Sequence, residues 1–279
     1  MSFTNEESEV FFHLHTVQPN RDEELVKGLE HIREGKLQGL LLKSFVDPSQ
    51  LKAGVANLES QKHSLARYRF APGFPGWTYG LNLDLAGPDL NAYTAQVDDT
   101  LSGLQDVFGW PLFQHVFETL EDLAKPLPLE VPQSAGGKPY LPVTIRCLPH
   151  DGLLPPHIGN EQKGRGPYAE LNAKIGDESM MSYFLMLQTP ESGGELRIHD
   201  IQDAQLTPDD FFRGRLQVDH RLKSDTRHFT VTPQAGDLLI FDGGRWVHEV
   251  LRVIGPRTRW TLGGFLSFSR DKDRVWIWA

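Results

Sequence analysis

The sequence predicts a mainly β protein with α-helices, in which a helical N-terminal layer covers an antiparallel β-sandwich or jelly roll. Many short strand-like segments follow residue 140, separated by turn signals and uninterrupted by helical spacing. Helical spacing of apolar residues is confined to the first 132 residues. A chain of 279 residues without a clean linker or repeat suits one large domain. We therefore expect residues 1–279 to form one domain, with a supporting and substrate-side region at 1–132 and the jelly-roll core at 140–279.

The first predicted elements are two helices that flank a strand. Residues 21–34 place leucine and isoleucine near helical spacing and end at Gly35. Residues 36–46 are typical of a strand. Asp47 then suits the N-cap of a second helix, with Pro48 in its first turn.

The following segments lead through the substrate-side region. Residues 79–85 alternate between apolar and polar side chains, which predicts a strand with leucines on one face and Asp84 on the other. Residues 98–123 have helical spacing, and we expect the helix to break at Gly109 and Pro111.

The jelly-roll region consists of predicted strands separated by glycine, proline and polar turns. In the strand at 180–188, Ser182 and Phe184 share one face. The only cysteine, Cys147, lies in the strand at 141–148, so we expect a buried structural thiol and no internal disulfide. The remaining strands are predicted at 194–199, 227–232, 237–241, 246–254, 259–267 and 275–278.

Charge and hydropathy argue against several kinds of partner. The formal net charge of -9 disfavours nonspecific nucleic-acid binding, which needs a basic surface. No apolar stretch approaches the length of a membrane span. Residues 1–10 are polar and acidic and lack the basic start and apolar run of a signal peptide. We therefore expect a cytoplasmic protein with a small-molecule partner.

Two histidines are the candidate metal ligands. Non-haem iron oxygenases commonly hold the metal with two histidines and one carboxylate. The chain has 11 histidines, and none is followed two positions later by a carboxylate residue. His157 instead precedes Gly159, which supplies no ligand and leaves a position for an external anion such as chloride. His248 follows a Pro…Gly-Asp turn and an apolar strand, a pattern that places a histidine at a sheet end, pointing inward.

Arg259 is the candidate for binding a carboxylate. It lies on the strand after His248, and its guanidinium can pair bidentately with a buried carboxylate such as the distal carboxylate of 2-oxoglutarate. Taken singly, a histidine near a turn or an arginine on a strand is usually structural. The combination is more specific because histidine, Gly-Gly strand, Gly-Asp strand, histidine and arginine follow in the order of one fold.

These residues give the chain a resemblance to the iron(II)/2-oxoglutarate oxygenases of the prolyl-hydroxylase-like branch. Within that superfamily it more closely resembles the carrier-protein-independent halogenases that act on free isonitrile-bearing indole alkaloids. The resemblance covers roughly residues 79 to 279 and is weak at the N-terminus. The matching segments are Thr144–Arg146, His157–Asn160, Ser182–Phe184, Glu191–Leu196, Phe241–Arg245, His248, Arg252–Gly255 and Gly263–Ser269.

The resemblance implies a double-stranded β-helix (jelly roll, cupin-like) in which His157 and His248 hold iron(II). 2-Oxoglutarate would chelate the iron, and Arg259 would bind its far carboxylate. Chloride would occupy the position that Gly159 leaves open, and dioxygen is the oxidant. The implied reaction removes a hydrogen atom from an unactivated carbon and delivers chlorine by a radical route. Ser182 is a candidate for orienting the reactive centre, and a serine bonded to the backbone is the equal alternative.

The implied substrate is a freestanding, alkaloid-like small molecule that is not bound to a carrier protein. Asp84 departs from the apolar segment expected of alkaloid halogenases, so it either meets an amine or lies on a solvated face. Residues 160–177 are long enough to form a lid or a mobile surface loop. Candidate pocket-lining residues, each also compatible with ordinary core packing, are Phe74, Trp77, Leu81, Leu83, Leu154 and Phe184.

Two other functions stay open from the sequence. A hydroxylase of the same fold would replace the missing ligand with water or with Glu161, although Glu161 is displaced from the usual position and would have to loop back. A catalytically dead jelly-roll binding module would need neither metal nor 2-oxoglutarate. The joint occurrence of His157, His248 and Arg259 argues against that last function.

Overall fold

The computed structural model describes residues 11–18, 27–65, 68–69, 76–87, 89–212, 215–216, 222 and 225–279. The helices are α1 Gly28–Arg33, α2 Pro48–Leu65, α3 Asn91–Ala95, α4 Val97–Phe108, α5 Leu112–Ala124 and α6 Ala169–Ile175. The strands are β1 Leu14–Val17, β2 Gly39–Leu42, β3 Tyr68–Arg69, β4 Trp77–Tyr79, β5 Leu129–Glu130, β6 Thr144–Leu148, β7 Leu154–His157, β8 Met181–Gln188, β9 Leu196–Gln202, β10 Phe211–Phe212, β11 Arg215–Leu216, β12 His228–Val231, β13 Leu238–Phe241, β14 Trp246–Val250, β15 Arg259–Phe268 and β16 Val275–Trp278.

Two facing sheets form the β-sandwich. The larger sheet has the strand order β1-β2-β13-β8-β15-β6-β4-β3, and β16 with β5 extends it beside the C-terminal half of β15. The smaller sheet has the order β12-β9-β14-β7. Apolar side chains from both sheets meet in a shared core cluster that includes Leu239 and Ile198. The predicted fold class, a mainly β jelly roll with helices, is confirmed.

The N-terminal helices cover the outer face of the larger sheet. The second helix begins as predicted after Asp47, whose Oδ1 accepts the backbone N–H of Ser49 at 2.8 Å. Leu51 and Leu58 are buried in one cluster with side chains of α4, α5, β6, β8 and β15. The predicted break between α4 and α5 is present, and Gly109 ends α4 with a left-handed φ of 71°. None of the helices that the structure describes is both long and apolar enough to cross a membrane.

The N-terminal region also contributes strands to the larger sheet, which goes beyond the predicted helical layer. β2 pairs with β13, and β4 pairs with β6. Residues 36–46 form a strand only over Gly39–Leu42, because Ser44 adopts a left-handed φ of 49° and turns the chain. Of the predicted helix 21–34, α1 is the part within the described residues, since residues 21–26 lie outside them.

Residues 79–85 do not form the predicted strand. β4 ends at Tyr79, and a 3-10 helix occupies Leu83–Leu85. Gly80 takes a left-handed φ of 84°, which an L side chain disfavours, and the chain turns there. The turn redirects this segment toward the space between the two sheets.

Candidate active site

A cavity of about 390 Å³ lies between the two sheets. Side chains of β6, β8 and β15 line one side, and side chains of β7, β9 and β14 line the other. Alternation along β8 explains the inner wall, because Ser182 and Phe184 face the cavity while Leu185 and Leu187 enter the helical core. The lining combines apolar residues with polar and charged groups that can orient a small molecule.

His157 and His248 stand side by side on paired strands of the smaller sheet. His157 of β7 is the direct antiparallel partner of His248 of β14. Their ring centroids lie 4.2 Å apart. Directly opposite residues in an antiparallel pair have Cβ atoms about 5 Å apart. Strand register alone therefore brings the two imidazoles to one point.

Both imidazoles are held in the form that can bind a metal. His157 Nδ1 donates to the carbonyl oxygen of Pro155 at 2.7 Å, and His248 Nδ1 donates to that of Trp246 at 2.9 Å. Because a carbonyl oxygen only accepts, the proton is on Nδ1 and Nε2 keeps its lone pair. Burial lowers the pKa of His157, and burial together with the neighbouring His157 lowers the pKa of His248. Two neutral imidazoles of this kind fit a divalent iron ion.

Gly159 lies where the chain turns from β7 into the 3-10 helix Gly159–Gly164. Its backbone N–H donates to the carbonyl oxygen of Gly243 at 2.8 Å. A Cβ atom added at Gly159 would lie 3.1 Å from that oxygen, so the neighbouring turn crowds any side chain there. Among the described residues, no group of three or more histidine, cysteine or carboxylate side chains is arranged to hold a metal. In that part of the chain the histidine pair has no carboxylate beside it.

Ser182 lies close to His248. A Cβ atom added at Gly243 would come within 2.6 Å of Ser182 Oγ and 3.2 Å of His248 Cε1. The missing side chain at Gly243 therefore lets the hydroxyl and the imidazole share one small space. Ser182 lines the cavity, and its hydroxyl has no hydrogen-bond partner among the described residues. The hydroxyl is thus available to a group bound in the cavity.

Arg259 brings a buried positive charge into the cavity from β15. Its Nε donates to the carbonyl oxygen of Gly194 at 2.8 Å, and its guanidinium lies 5.3 Å from the centre of the Phe184 ring. Burial lowers the pKa of Arg259 to about 10, so the side chain stays cationic at neutral pH. No carboxylate among the described residues forms an ion pair with it. A buried cation in this state suits an anionic ligand.

The rim of the cavity is a polar network centred on Asp84. Gln162 Nε2 donates to Asp84 Oδ2 at 3.1 Å, and the Tyr168 hydroxyl lies 3.1 Å from Asp84 Oδ1. Arg165 pairs with Asp84 at 3.6 Å and with Glu161 at 2.8 Å. Gln162 and Tyr168 belong to the 3-10 helices Gly159–Gly164 and Gly166–Tyr168, and Arg165 lies between these helices. The segment considered as a possible lid is therefore folded against Asp84. The carboxylates of Asp84 and Glu161 are both engaged by protein donors.

A protein-family model described as carrier-protein-independent halogenase WelO5 matches residues 11–279. The chain belongs to this family. The crystal structure of an N-substituted L-amino acid dioxygenase from Burkholderia ambifaria AMMD shares 14% identity with it, covers 91% of both chains and has a TM-score of 0.56. The alpha-KG complex of that dioxygenase shares 14% identity over 89% of this chain and 90% of that chain, with a TM-score of 0.52. No curated protein sequence matches the chain.

Membership of the WelO5 family indicates an enzyme, and the dioxygenase structures share its fold. One cavity brings together most of the residues that the sequence singled out. Those that line it are Leu154, His157, Gly159, Ser182, Phe184, His248 and Arg259. Phe74, another predicted lining residue, lies outside the described residues.

Three predicted lining residues have other positions in this WelO5-family structure. Leu81 and Leu83 are buried in a core cluster behind the cavity wall. Trp77 packs against the helical core of the larger sheet. The physical reason is the turn after β4, which makes the polar Asn82 and Asp84, rather than the leucines, face the cavity.

Arg146 is the main site residue to which the sequence analysis assigned no role, although it lies in the matching segment Thr144–Arg146. It lies on β6 between Ile145 and Cys147, which are buried in the helical core, and its own side chain lines the cavity. A charged residue between two buried apolar positions of a strand was the available signal. Other missed lining residues include Asn82, Gln162, Arg165, Leu196, Phe241, Val250, Thr261 and Phe265.

Proposed function

We propose that the protein is an iron(II)/2-oxoglutarate-dependent halogenase that replaces hydrogen with chlorine at an unactivated carbon of a freestanding small molecule. The observation that carries this proposal is the paired imidazoles of His157 and His248 beside Gly159. In facial-triad oxygenases a carboxylate accompanies the two histidines. A glycine at that place leaves a metal position that a halide can take.

The protein's own residues would bind and orient the reacting groups. His157 and His248 would hold the iron through Nε2, because backbone carbonyls fix their Nδ1 protons. Arg259 would pair with the distal carboxylate of 2-oxoglutarate. When bound, iron, 2-oxoglutarate and dioxygen supply the chemistry that exchanges hydrogen for chlorine, consuming chloride and a proton and releasing succinate, carbon dioxide and water.

The backbone around Gly159 suggests that chloride binding would require the iron. The N–H of Gly159 already donates to the Gly243 carbonyl oxygen, so it offers no second hydrogen bond to an anion. A Cβ atom at position 159 would lie 3.1 Å from the same carbonyl oxygen. Chloride would therefore be held chiefly by the iron, in a space that a side chain would close.

The size of the cavity supports a small-molecule substrate. Its volume of about 390 Å³ lies within the usual range of small-molecule pockets. Leu154 and Phe184 supply apolar wall near the histidines. The description of the family as carrier-protein-independent supports a free, alkaloid-like natural product as the substrate. The carboxylate of Asp84 is bonded to Gln162 and Tyr168, so we assign the substrate no amine.

A hydroxylase that uses Glu161 as its third ligand has less support. Arg165 holds the Glu161 carboxylate at 2.8 Å within the rim. A metal-free binding module has less support as well. Two adjacent imidazoles, each with Nδ1 bonded to a backbone carbonyl, are the arrangement expected of metal ligands.

Product analysis with and without chloride tests the proposal. The iron(II)-loaded enzyme would receive 2-oxoglutarate, dioxygen and a panel of alkaloid-like small molecules, and products would be examined by mass spectrometry. We expect a product with the isotope pattern of chlorine that forms only when chloride is present. A substrate that is turned over to hydroxylated product alone, at saturating chloride, would contradict halogenation.

Gly159→Asp and Gly159→Ala form a matched pair for the same test. Both variants place a Cβ atom near the Gly243 carbonyl oxygen, but only the aspartate brings a carboxylate to the metal. We expect Gly159→Asp to lose chlorination, with hydroxylation as its remaining activity, and Gly159→Ala to keep chlorination at a reduced rate. Unchanged chlorination by Gly159→Asp would show that Gly159 is not the open position.

A further inference from the structure

Arg146 is a second cationic residue of the cavity, and we infer that it binds the carboxylate of the 2-oxo acid that lies on the metal side. Arg259 would bind the opposite carboxylate, so two arginines would hold the two ends of one dicarboxylate. The inference rests on the proposed iron/2-oxoglutarate function and deepens it. It assigns a cofactor-binding role to a residue that the sequence analysis did not select.

The strand β6 directs Arg146 into the cavity. Ile145 and Cys147, on either side of it, are buried in the helical core cluster, and successive side chains of a strand point to opposite faces. Arg146 lines the same cavity as His157 and Gly159. Its guanidinium lies 5.4 Å from the centre of the Phe265 ring.

Within the described residues the guanidinium of Arg146 has no hydrogen-bond or ion-pair partner, and its Nε is buried without a partner. A buried charge without a partner is costly, so the site is expected to receive an anion. Asp84 is a carboxylate residue that lines the same cavity. Its oxygens, however, are already engaged by Gln162, Tyr168 and Arg165.

Strand register relates Arg146 to Arg259. Arg146 on β6 is opposite Thr261 on β15, and Arg259 is two residues before Thr261 on the same strand. Two residues along a strand span about 7 Å. All three residues line the cavity. This arrangement suits a short dicarboxylate such as 2-oxoglutarate, with a guanidinium at each end.

Several observations place Arg146 at the metal end. Along β15, Arg259 lies farther from Phe265 than Thr261, the register partner of Arg146, and its Nε donates to the Gly194 carbonyl oxygen at 2.8 Å. The Arg146 guanidinium lies 5.4 Å from the centre of the Phe265 ring, and Phe265 pairs across strands with Ser182, which lies beside His248. A planar guanidinium matches a carboxylate through parallel hydrogen bonds, whereas a spherical halide gains nothing from that geometry. The carboxylate is therefore the favoured anion at Arg146.

Anaerobic binding of two 2-oxo acids separates the roles of the arginines. Iron(II)-loaded wild type, Arg146→Met, Arg146→Lys and Arg259→Met would be titrated with 2-oxoglutarate and with 2-oxobutyrate, which lacks the distal carboxylate. The readout is the visible charge-transfer absorption of the iron chelate. Iron(II) affinity without the acid, and thermal unfolding of each variant, are the controls.

We expect Arg146→Met to weaken both acids by about ten- to a hundredfold, the range of a lost charged hydrogen bond. Arg259→Met should weaken 2-oxoglutarate but not 2-oxobutyrate, because only the former reaches Arg259. Arg146→Lys keeps the charge without the planar fork and should fall between wild type and Arg146→Met. If Arg146→Met does not fold, the binding measurements on Arg146→Lys still test the inference.

Three outcomes overturn the inference. Unchanged binding of both acids by folded Arg146 variants would leave Arg146 a structural residue. Loss of 2-oxoglutarate binding alone would place it at the distal end. If the Arg146 variants bind both acids normally but chloride no longer shifts the absorption of the iron chelate, Arg146 would bind the halide instead. If wild type forms no chelate with 2-oxoglutarate, the proposed function fails together with the inference; a normal wild-type chelate confines failure to Arg146.

Discussion

The metal side and the rim of the cavity are built in different ways. On the metal side, His157 and His248 are direct partners in paired strands, and backbone carbonyls fix both imidazoles. On the rim, the Asp84 carboxylate contacts the side chains of Gln162, Arg165 and Tyr168, which follow β7 in the chain. Backbone pairing positions the first region, and side-chain hydrogen bonds position the second.

This difference suggests a division of labour within the site. The position of a residue in a sheet follows from register, because a shift of one residue would turn its side chain to the other face. The metal side therefore leaves little freedom in ligand geometry. A rim held by side-chain hydrogen bonds and ion pairs can change by substitution without disturbing the sheets. We expect metal and 2-oxoglutarate binding to depend on the first region and substrate access to depend on the second.

The largest effect is expected from His248→Ala on the metal side. Removing one of two protein ligands should weaken iron(II) binding by at least about a hundredfold, since even the outer partners of metal ligands contribute ten- to a hundredfold. Calorimetric titration under anaerobic conditions measures this. His199→Ala is the matched control, because His199 is equally buried on the same sheet but bonds Glu249 at 3.1 Å. Equal iron affinity of wild type and His248→Ala would refute the metal assignment.

Arg259→Met should follow, with 2-oxoglutarate binding weaker by about a hundredfold because a charged bidentate pair is lost. Equilibrium titration of the iron-loaded protein provides the measurement. Arg257→Met is a control of the same residue type, since Arg257 is exposed and donates to the Pro190 carbonyl oxygen at 3.0 Å. If both variants bind 2-oxoglutarate like wild type, the acid is held elsewhere.

A smaller effect is expected from Asp84→Asn on the rim. The substitution keeps the size of the side chain and removes the charge that pairs with Arg165, so local opening of residues 159–175 should become roughly tenfold more frequent. Hydrogen exchange of that segment measures the change, and the exposed Asp98→Asn is the control. Iron(II) and 2-oxoglutarate affinities should not change. If Asp84→Asn loses iron binding, the rim and the metal side do not act independently, contrary to the proposal.

The smallest effect on binding is expected from Ser182→Ala. The Ser182 hydroxyl has no partner among the described residues, so its removal should leave iron and 2-oxoglutarate affinities unchanged. We expect the proportion of chlorinated to hydroxylated product to fall a few-fold, because a small displacement of reacting groups changes the outcome. Product ratios by mass spectrometry, with the exposed Ser60→Ala as control, decide the point. An unaltered ratio would make Ser182 an ordinary wall residue.

The sequence predicted the regions where a simple period governs the chain. The helices around Leu51 and Leu104 and the strand that carries Ser182 follow apolar periodicity, and the structure has them. Residues 79–85 failed because alternation was taken for a strand, whereas Gly80 turns the chain and a 3-10 helix follows.

The same limits apply within the site. The histidines and Arg259 were found because motif order marks them, and they lie on strands. Asn82 and Gln162 were missed because they line the cavity from 3-10 segments, where no period indicates a face. The partners of Asp84 come from a distant part of the chain, so no local pattern reveals its role on the rim.

X-ray absorption at the iron edge tests the central claim most directly. The iron(II) and 2-oxoglutarate complexes of wild type and Gly159→Asp would be measured without oxygen, in saturating bromide as a heavy substitute for chloride. The account predicts a bromide scatterer at bonding distance from iron in wild type and its loss in Gly159→Asp. An iron shell of nitrogen and oxygen atoms alone in wild type would contradict the claim that Gly159 leaves a halide position.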